Sequence, residues 1–137
     1  MKRRSEAGQA IVETAIVLSL LLLIMVGVIE FTLVLYDQAV LTNACREGAR
    51  AGIVSQAPRR TDGEITTIVN NYCSNRLISF AAASPVVTVT RTGTAPFTIN
   101  DELTVSVNYN YTYLVLPNFG VEGDQLPLTA RAVMRFE

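Results

Sequence analysis

The sequence predicts an α+β fold. A long amino-terminal helix, half membrane-spanning and half amphipathic, packs on a small second helix and an antiparallel β-sheet. Three observations carry this expectation. An uncharged apolar run fills residues 14–29 and continues past Glu30 to Tyr36. A capping signature at residues 61–64 opens a short apolar stripe at helical spacing. Beyond Pro85 the pattern changes to period two, most plainly from Leu103 to Val115. The expected division is a basic head over 1–8, a transmembrane helix over 9–36, an amphipathic continuation over 37–54, and a head domain outside the cytoplasm over 55–137.

Composition narrows the chemistry. The 137 residues are 50% apolar and 17% charged, with a formal charge of −1, no His, no Trp and two Cys. Without His there is no histidine metal site and no Ser-His-Asp triad. Two Cys cannot make a four-thiolate zinc site. A charge near zero argues against a broad nucleic-acid surface. The acids are scattered, and no Gly-rich phosphate loop follows a strand. The expectation is a protein that is not an enzyme and carries no cofactor.

The first element is the membrane helix. Lys2, Arg3 and Arg4 stand against Glu6 in a short basic head, and Lys2 is the only lysine. Such a head before a long apolar run is a targeting or anchoring pattern. Thr14 through Tyr36 is 23 residues, about 34 Å as helix, against about 30 Å of bilayer core. The basic head places the amino terminus in the cytoplasm. The run is longer than a secretory signal and no small-x-small cleavage site follows it, so a retained anchor is expected. Its two acids are costly: a charge near the bilayer centre costs about 2.5–3.5 kcal/mol. Glu13 lies near the cytoplasmic end and Glu30 towards the outer side. For Glu30 the readings are snorkelling to the outer interface or contact with another helix in an assembly.

The amphipathic continuation, DQAVLTNACREGARAGIV, puts Leu41, Cys45, Gly48 and Gly52 on one face. Ala44, Gly48 and Gly52 are spaced for close approach of another backbone. Two helical glycines each cost about 1 kcal/mol relative to Ala, and close packing against the domain is the expected compensation. Arg46 and Arg50 lie one turn apart on another face, either a solvated stripe or a docking surface for a neighbouring subunit. After Pro58, Thr61 and Glu64 form the capping box of a helix expected over 62–78, with Ile65, Ile68, Val69, Tyr72 and Cys73 as its apolar stripe.

Strands follow. Val86–Thr90 is β-branched, and Phe97-Thr98-Ile99 begins a candidate strand before an Asn100-Asp101 turn. Leu103 to Val115 alternates strictly and stops at Pro117-Asn118-Phe119-Gly120. Leu128, Ala130, Ala132, Met134 and Phe136 share one face of a last strand. Tyr109, Tyr111 and Tyr113 line one side of the long strand, where packing against the long helix is favoured over a partner-binding ladder.

The segment Gly8-Gln9-Ala10-Ile11-Val12-Glu13, a glycine closing a basic leader and a glutamate five residues on before the apolar run, resembles the processing site of type IV prepilins and pseudopilins. The resemblance implies cleavage after Gly8 by a membrane-embedded prepilin peptidase. The mature chain would then begin at Gln9, with Glu13 as its fifth residue. A glycine there lets the backbone lie extended in a peptidase cleft. A carboxylate in an apolar helix becomes favourable opposite a neighbour's terminal ammonium. Together with Arg46-Glu47-Gly48-Ala49-Arg50-Ala51-Gly52, GQAIVE looks like the TadE-like proteins of tight-adherence (Flp) pilus systems, over roughly residues 5–54.

That resemblance implies a pilin-like α+β plan and a structural role as a minor pilin or pseudopilin in pilus assembly. Implied partners are the major pilin, other minor pilins, the prepilin peptidase, the inner-membrane assembly platform and the lipid bilayer, with no nucleic acid. The implied place is the bacterial inner membrane, with passage into an extracellular pilus. Candidate subunit-packing residues are Glu13, Glu30, Arg46, Gly48, Arg50 and Gly52. Cys45 and Cys73 each sit on the apolar face of their helix. In an oxidising compartment a disulfide between them is favoured over two buried free thiols. The alternatives are a type II secretion pseudopilin, or an unprocessed single-span protein with a sensing or binding head.

Overall fold

The structure is a computed structural model describing residues 3–55, 58–74, 76–78, 84–93, 97, 100–113 and 125–136, with residues 3–7 described as backbone only. Its elements are α1 (Arg3–Ile53), α2 (Asp62–Ser74), β1 (Val86–Arg91), β2 (Glu102–Thr112) and β3 (Gln125–Arg135). The expected α+β arrangement is the one observed. α1 is a single helix of 51 residues, about 77 Å long.

The three strands form an antiparallel sheet in the order β1-β2-β3. Val107 of the central strand faces Val87 on one side and Ala130 on the other. The period-two pattern explains the layering. Leu103, Val105, Val107, Tyr109 and Tyr111 of β2 are buried against the helices, and Asn108 and Asn110 face solvent. α1 lies across β2 and β3, and α2 covers β1. The core is the seam between these layers. It joins Leu41, Ala44, Cys45 and Ala49 of α1, Ile65, Val69 and Cys73 of α2, the inward face of β2, and Leu128 and Ala130 of β3. Phe136 closes it, stacked on Phe97 with centroids 4.8 Å apart.

α2 begins as the capping box requires. The Thr61 amide donates to Glu64 at 2.7 Å and the Glu64 amide to the Thr61 hydroxyl at 3.3 Å. It ends at Ser74, short of the expected 78. The reason is a competing acceptor. The Leu77 amide still reaches back to Cys73 O at 2.9 Å, but the Ile78 amide donates to the Asp37 carboxylate at 3.0 Å. β2 spans Glu102–Thr112 and ends before Tyr113, short of the expected Val115; residues 114–120, with the expected stop at 117–120, lie outside the described residues. Of the candidate strand at 97–99, only Phe97 is described, and it is not in a strand.

The head meets α1 along one stripe that starts at Glu30. Glu30 and Asp37 are buried and Leu33 and Val34 pack on the core, while Phe31, Leu35 and Tyr36 on the other side stay exposed. Every residue from Gly8 to Met25 is exposed. α1 is the one helix among the described residues long and apolar enough to cross a membrane.

Candidate functional site: the bare helix and its exit from the head

Gly8, Gln9 and Glu13 all lie on the exposed part of α1. Glu13 borders a shallow depression with Ala10, Thr14, Val17, Leu18 and Leu21. No ion pair engages its carboxylate among the described residues. The hydroxyls nearby are satisfied within the helix: Thr14 donates to Ala10 O and Ser19 to Ala15 O, each at 2.8 Å. Glu13 is therefore the one charged group on the exposed stretch from Gly8 to Met25, with Gln9 beside it as a neutral polar side chain. Gly8 is helical, not extended. A Cβ there would meet nothing within 4 Å, so its lack of a side chain serves no packing in this chain. Its weak helix propensity lowers the cost of opening the backbone locally.

The second polar site is where α1 enters the head. Glu30 is 3% exposed, and the Tyr111 hydroxyl donates to its Oε1 at 2.7 Å. This is neither snorkelling nor a contact with another subunit: the chain's own sheet covers the carboxylate. Burial pushes the Tyr111 hydroxyl well above its ordinary pKa, and the bond to Glu30 pushes it further, so it remains a donor. Two turns on, Asp37 is fully buried; its Oδ1 accepts the Ile78 amide, and its Oδ2 has no partner among the described residues. Burial raises the Asp37 pKa, opposed by that amide. Beside it the Gln38 amide group donates to Thr129 O at 2.9 Å. Sequence reasoning missed Asp37. The available signal was its position seven residues after Glu30, on the same helical face.

Gly48 and Gly52 are consumed by the head. A Cβ on Gly48 would collide with Val69 Cγ2, and one on Gly52 with Leu103 Cδ2 and, at 2.7 Å, with Ile65 Cδ1. Both glycines are buried by α2 and β2 of the same chain. The expected compensation by domain packing holds, and this face is closed to a neighbouring subunit. Arg46 and Arg50 point to solvent and enter no ion pair among the described residues.

Cys45 and Cys73 are fully buried free thiols, so the expected disulfide is absent from the structure. The Cys45 thiol is turned towards β3, with its Sγ 3.5 Å from Ala130 O. Burial first, and the neighbouring Cys73 second, push Cys45 up to about 11. The reactive thiolate is thereby suppressed at both cysteines, since burial raises Cys73 as well. Tyr109 and Tyr111 are buried against α1, as the packing reading expected. Tyr113 meets Tyr111 edge-on, with centroids 6.0 Å apart. No group of three metal-ligating side chains occurs among the described residues.

Comparison with known proteins places this geometry. The family model described as TadE-like protein matches residues 8–50, the stretch from the helical glycine to the second solvent-facing arginine. No curated protein and no solved structure matches the chain.

Proposed function

We propose, from a chain whose residues 8–50 are TadE-like, that this is a structural minor pilin or pseudopilin of a tight-adherence pilus, made as a membrane-anchored precursor. The family suggests involvement in such pilus systems and a structural role. A single apolar amino-terminal helix fits membrane localisation. The finer reading is that prepilin peptidase cuts after Gly8, leaving Gln9 as the new terminus. The mature helix then packs beside the major pilin and sibling minor pilins above the inner-membrane platform. The head stays outside the cytoplasm.

The observation that carries this reading is Glu13. It is an exposed carboxylate five residues after Gly8, in no ion pair among the described residues, and the one charged side chain between Gly8 and Ile29. In low dielectric such a group is unfavourable alone and favourable opposite an ammonium. The terminal amine created at Gln9 of an adjoining subunit supplies one. The exposed Arg46 and Arg50 lie on the side of α1 away from the head, where a neighbour has access.

The test is to express the full chain with and without the peptidase and pilus genes, and to read its terminus by mass spectrometry. Gln9 as the first residue, dependent on the peptidase, supports the reading. An intact leader in cells that carry an active peptidase overturns it. Glu13→Gln is expected to be trimmed normally and to enter filaments at least about tenfold less, in line with the loss of one desolvated charge pair. Normal incorporation of that variant would remove the proposed role of the carboxylate.

A further inference from the structure

We infer that Glu30 and Tyr111 form a latch that ties the docking of the head to the depth of the membrane anchor. This rests on reading the exposed apolar stretch ending at Ile29 as the bilayer span.

Glu30 is the first fully buried position on α1 among the described residues. On the side of the helix away from the head, Ile29, Phe31, Leu35 and Tyr36 remain exposed, and Phe31 is 64% exposed. The apolar surface therefore runs past Glu30 on one face, while protein covers the other. With the head docked, the Glu30 carboxylate does not face lipid. Water is excluded from Glu30, and the Tyr111 hydroxyl, brought from 81 residues away, donates to it at 2.7 Å. The helix is then free to sit with Phe31, Leu35 and Tyr36 in the outer lipid interface. With the head lifted, the same carboxylate stands bare on the opposite face at the depth of those residues, where a charge is expensive. It must reach water, so α1 must rise by about one turn, roughly 5.4 Å. Head docking and anchor depth are thus one equilibrium. Within Tyr111 it is the hydroxyl, not the ring, that bears on Glu30, because the ring packs in the core whether or not that donor is present.

The chain contains no Trp, so Phe31→Trp gives a single fluorescent reporter at the boundary. Full-length protein carrying it is reconstituted into phosphatidylcholine vesicles and quenched either by iodide in the water or by brominated acyl chains. The buried thiols of Cys45 and Cys73 report head docking by their protection from a water-soluble maleimide. In the otherwise native chain, bromine quenching is expected to dominate and the thiols to be protected. Adding Tyr111→Phe should raise iodide quenching at least threefold and expose the thiols. Adding Glu30→Gln to that variant should restore both readouts, because a neutral amide has no charge to hide.

Unchanged quenching in Tyr111→Phe overturns the latch. So does failure of Glu30→Gln to rescue, since damage from lost packing alone would persist in the double variant. A second reporter, Leu21→Trp, separates the premise from the inference. If brominated chains do not quench it, residues 9–29 are not in the bilayer, whatever the latch does.

Discussion

The two halves of α1 share one continuous backbone and solve opposite problems. From Gly8 to Met25 every side chain is exposed, and the large ones point outward all round, with Ile11 70% exposed. From Glu30 to Ile53 the helix narrows to one buried stripe: Glu30 and Asp37, then Val40 and Leu41, then the small residues Ala44, Cys45, Gly48, Ala49 and Gly52. A helix apolar on every side needs a solvent that is apolar on every side. A helix with one stripe of small residues needs a second surface to approach its backbone. The two surfaces overlap by about two turns, from the first buried residue, Glu30, to the exposed Tyr36 on the opposite side.

A charge placed on each half should break the symmetry most. Leu21→Arg puts a guanidinium at mid-span and is expected to shift the apparent insertion free energy by about 2.5–3.5 kcal/mol. The measurement is the integrated against the translocated fraction in a membrane-insertion assay. Asn43→Arg, on the exposed side of the head-bound half, should change head stability by less than about 0.5 kcal/mol. Equal tolerance of arginine at both positions would mean that the bare half is covered by protein and not by lipid.

The glycines give the next largest contrast. A Cβ at Gly27 meets nothing within 4 Å, whereas one at Gly48 collides with Val69 Cγ2. Gly27→Ala should therefore leave the chain as stable or favour helix by up to about 1 kcal/mol. Gly48→Ala should lower head stability by about 1–3 kcal/mol, because a well-packed seam has no room for a methyl group. Thermal unfolding of the head in detergent, read with maleimide protection of Cys45, separates the two. A stabilising Gly48→Ala would show that the seam between α1 and α2 opens more easily than the packing implies.

How much of this was legible follows the range of each interaction. The apolar run, the Thr61–Glu64 box and the alternation in β2 are local patterns, and each gave its element within a few residues. The capping box is made by residues three apart, and it formed as written. What stayed hidden was made by partners distant in sequence. Glu30 finds Tyr111 across 81 residues and Asp37 finds Ile78 across 41. Neither spacing carries a period. The same long-range bond explains why α2 ends at Ser74 though its apolar stripe suggested more. Spacing alone also could not tell whether Gly48 and Gly52 admit the head or another subunit, since both demand the same absence of a side chain. For the processing segment, the residues were legible and the structure added their exposure and the lack of an ion pair at Glu13.

The smallest expected effect tests whether the acids of the head-bound half are there for stability. Asp37 is buried, its pKa lies above the ordinary 3.8, and its Oδ2 has no partner among the described residues. A raised acid binds its proton more tightly folded than unfolded. Its contribution is then fully present below pH 3.8 and is lost as pH rises through the folded value. Asp37 sits near Tyr111 and Cys73, whose own pKa values its charge pushes up. Asp37→Asn keeps an acceptor for the Ile78 amide and removes the charge. The variant should be at least as stable as the native head at pH 7, and the native head should gain on it as pH falls towards 4. Glu64 works the other way. Its pKa is lowered by the Thr61 amide and hydroxyl, so its contribution is lost on acidification. That loss is common to both proteins and cancels in their difference. Urea unfolding at pH 4, 5.5 and 7 gives that difference directly. If Asp37→Asn is instead the less stable protein at pH 7, the ionised carboxylate has a partner that repays its burial. The head-bound half would then be held by charge as well as by close packing.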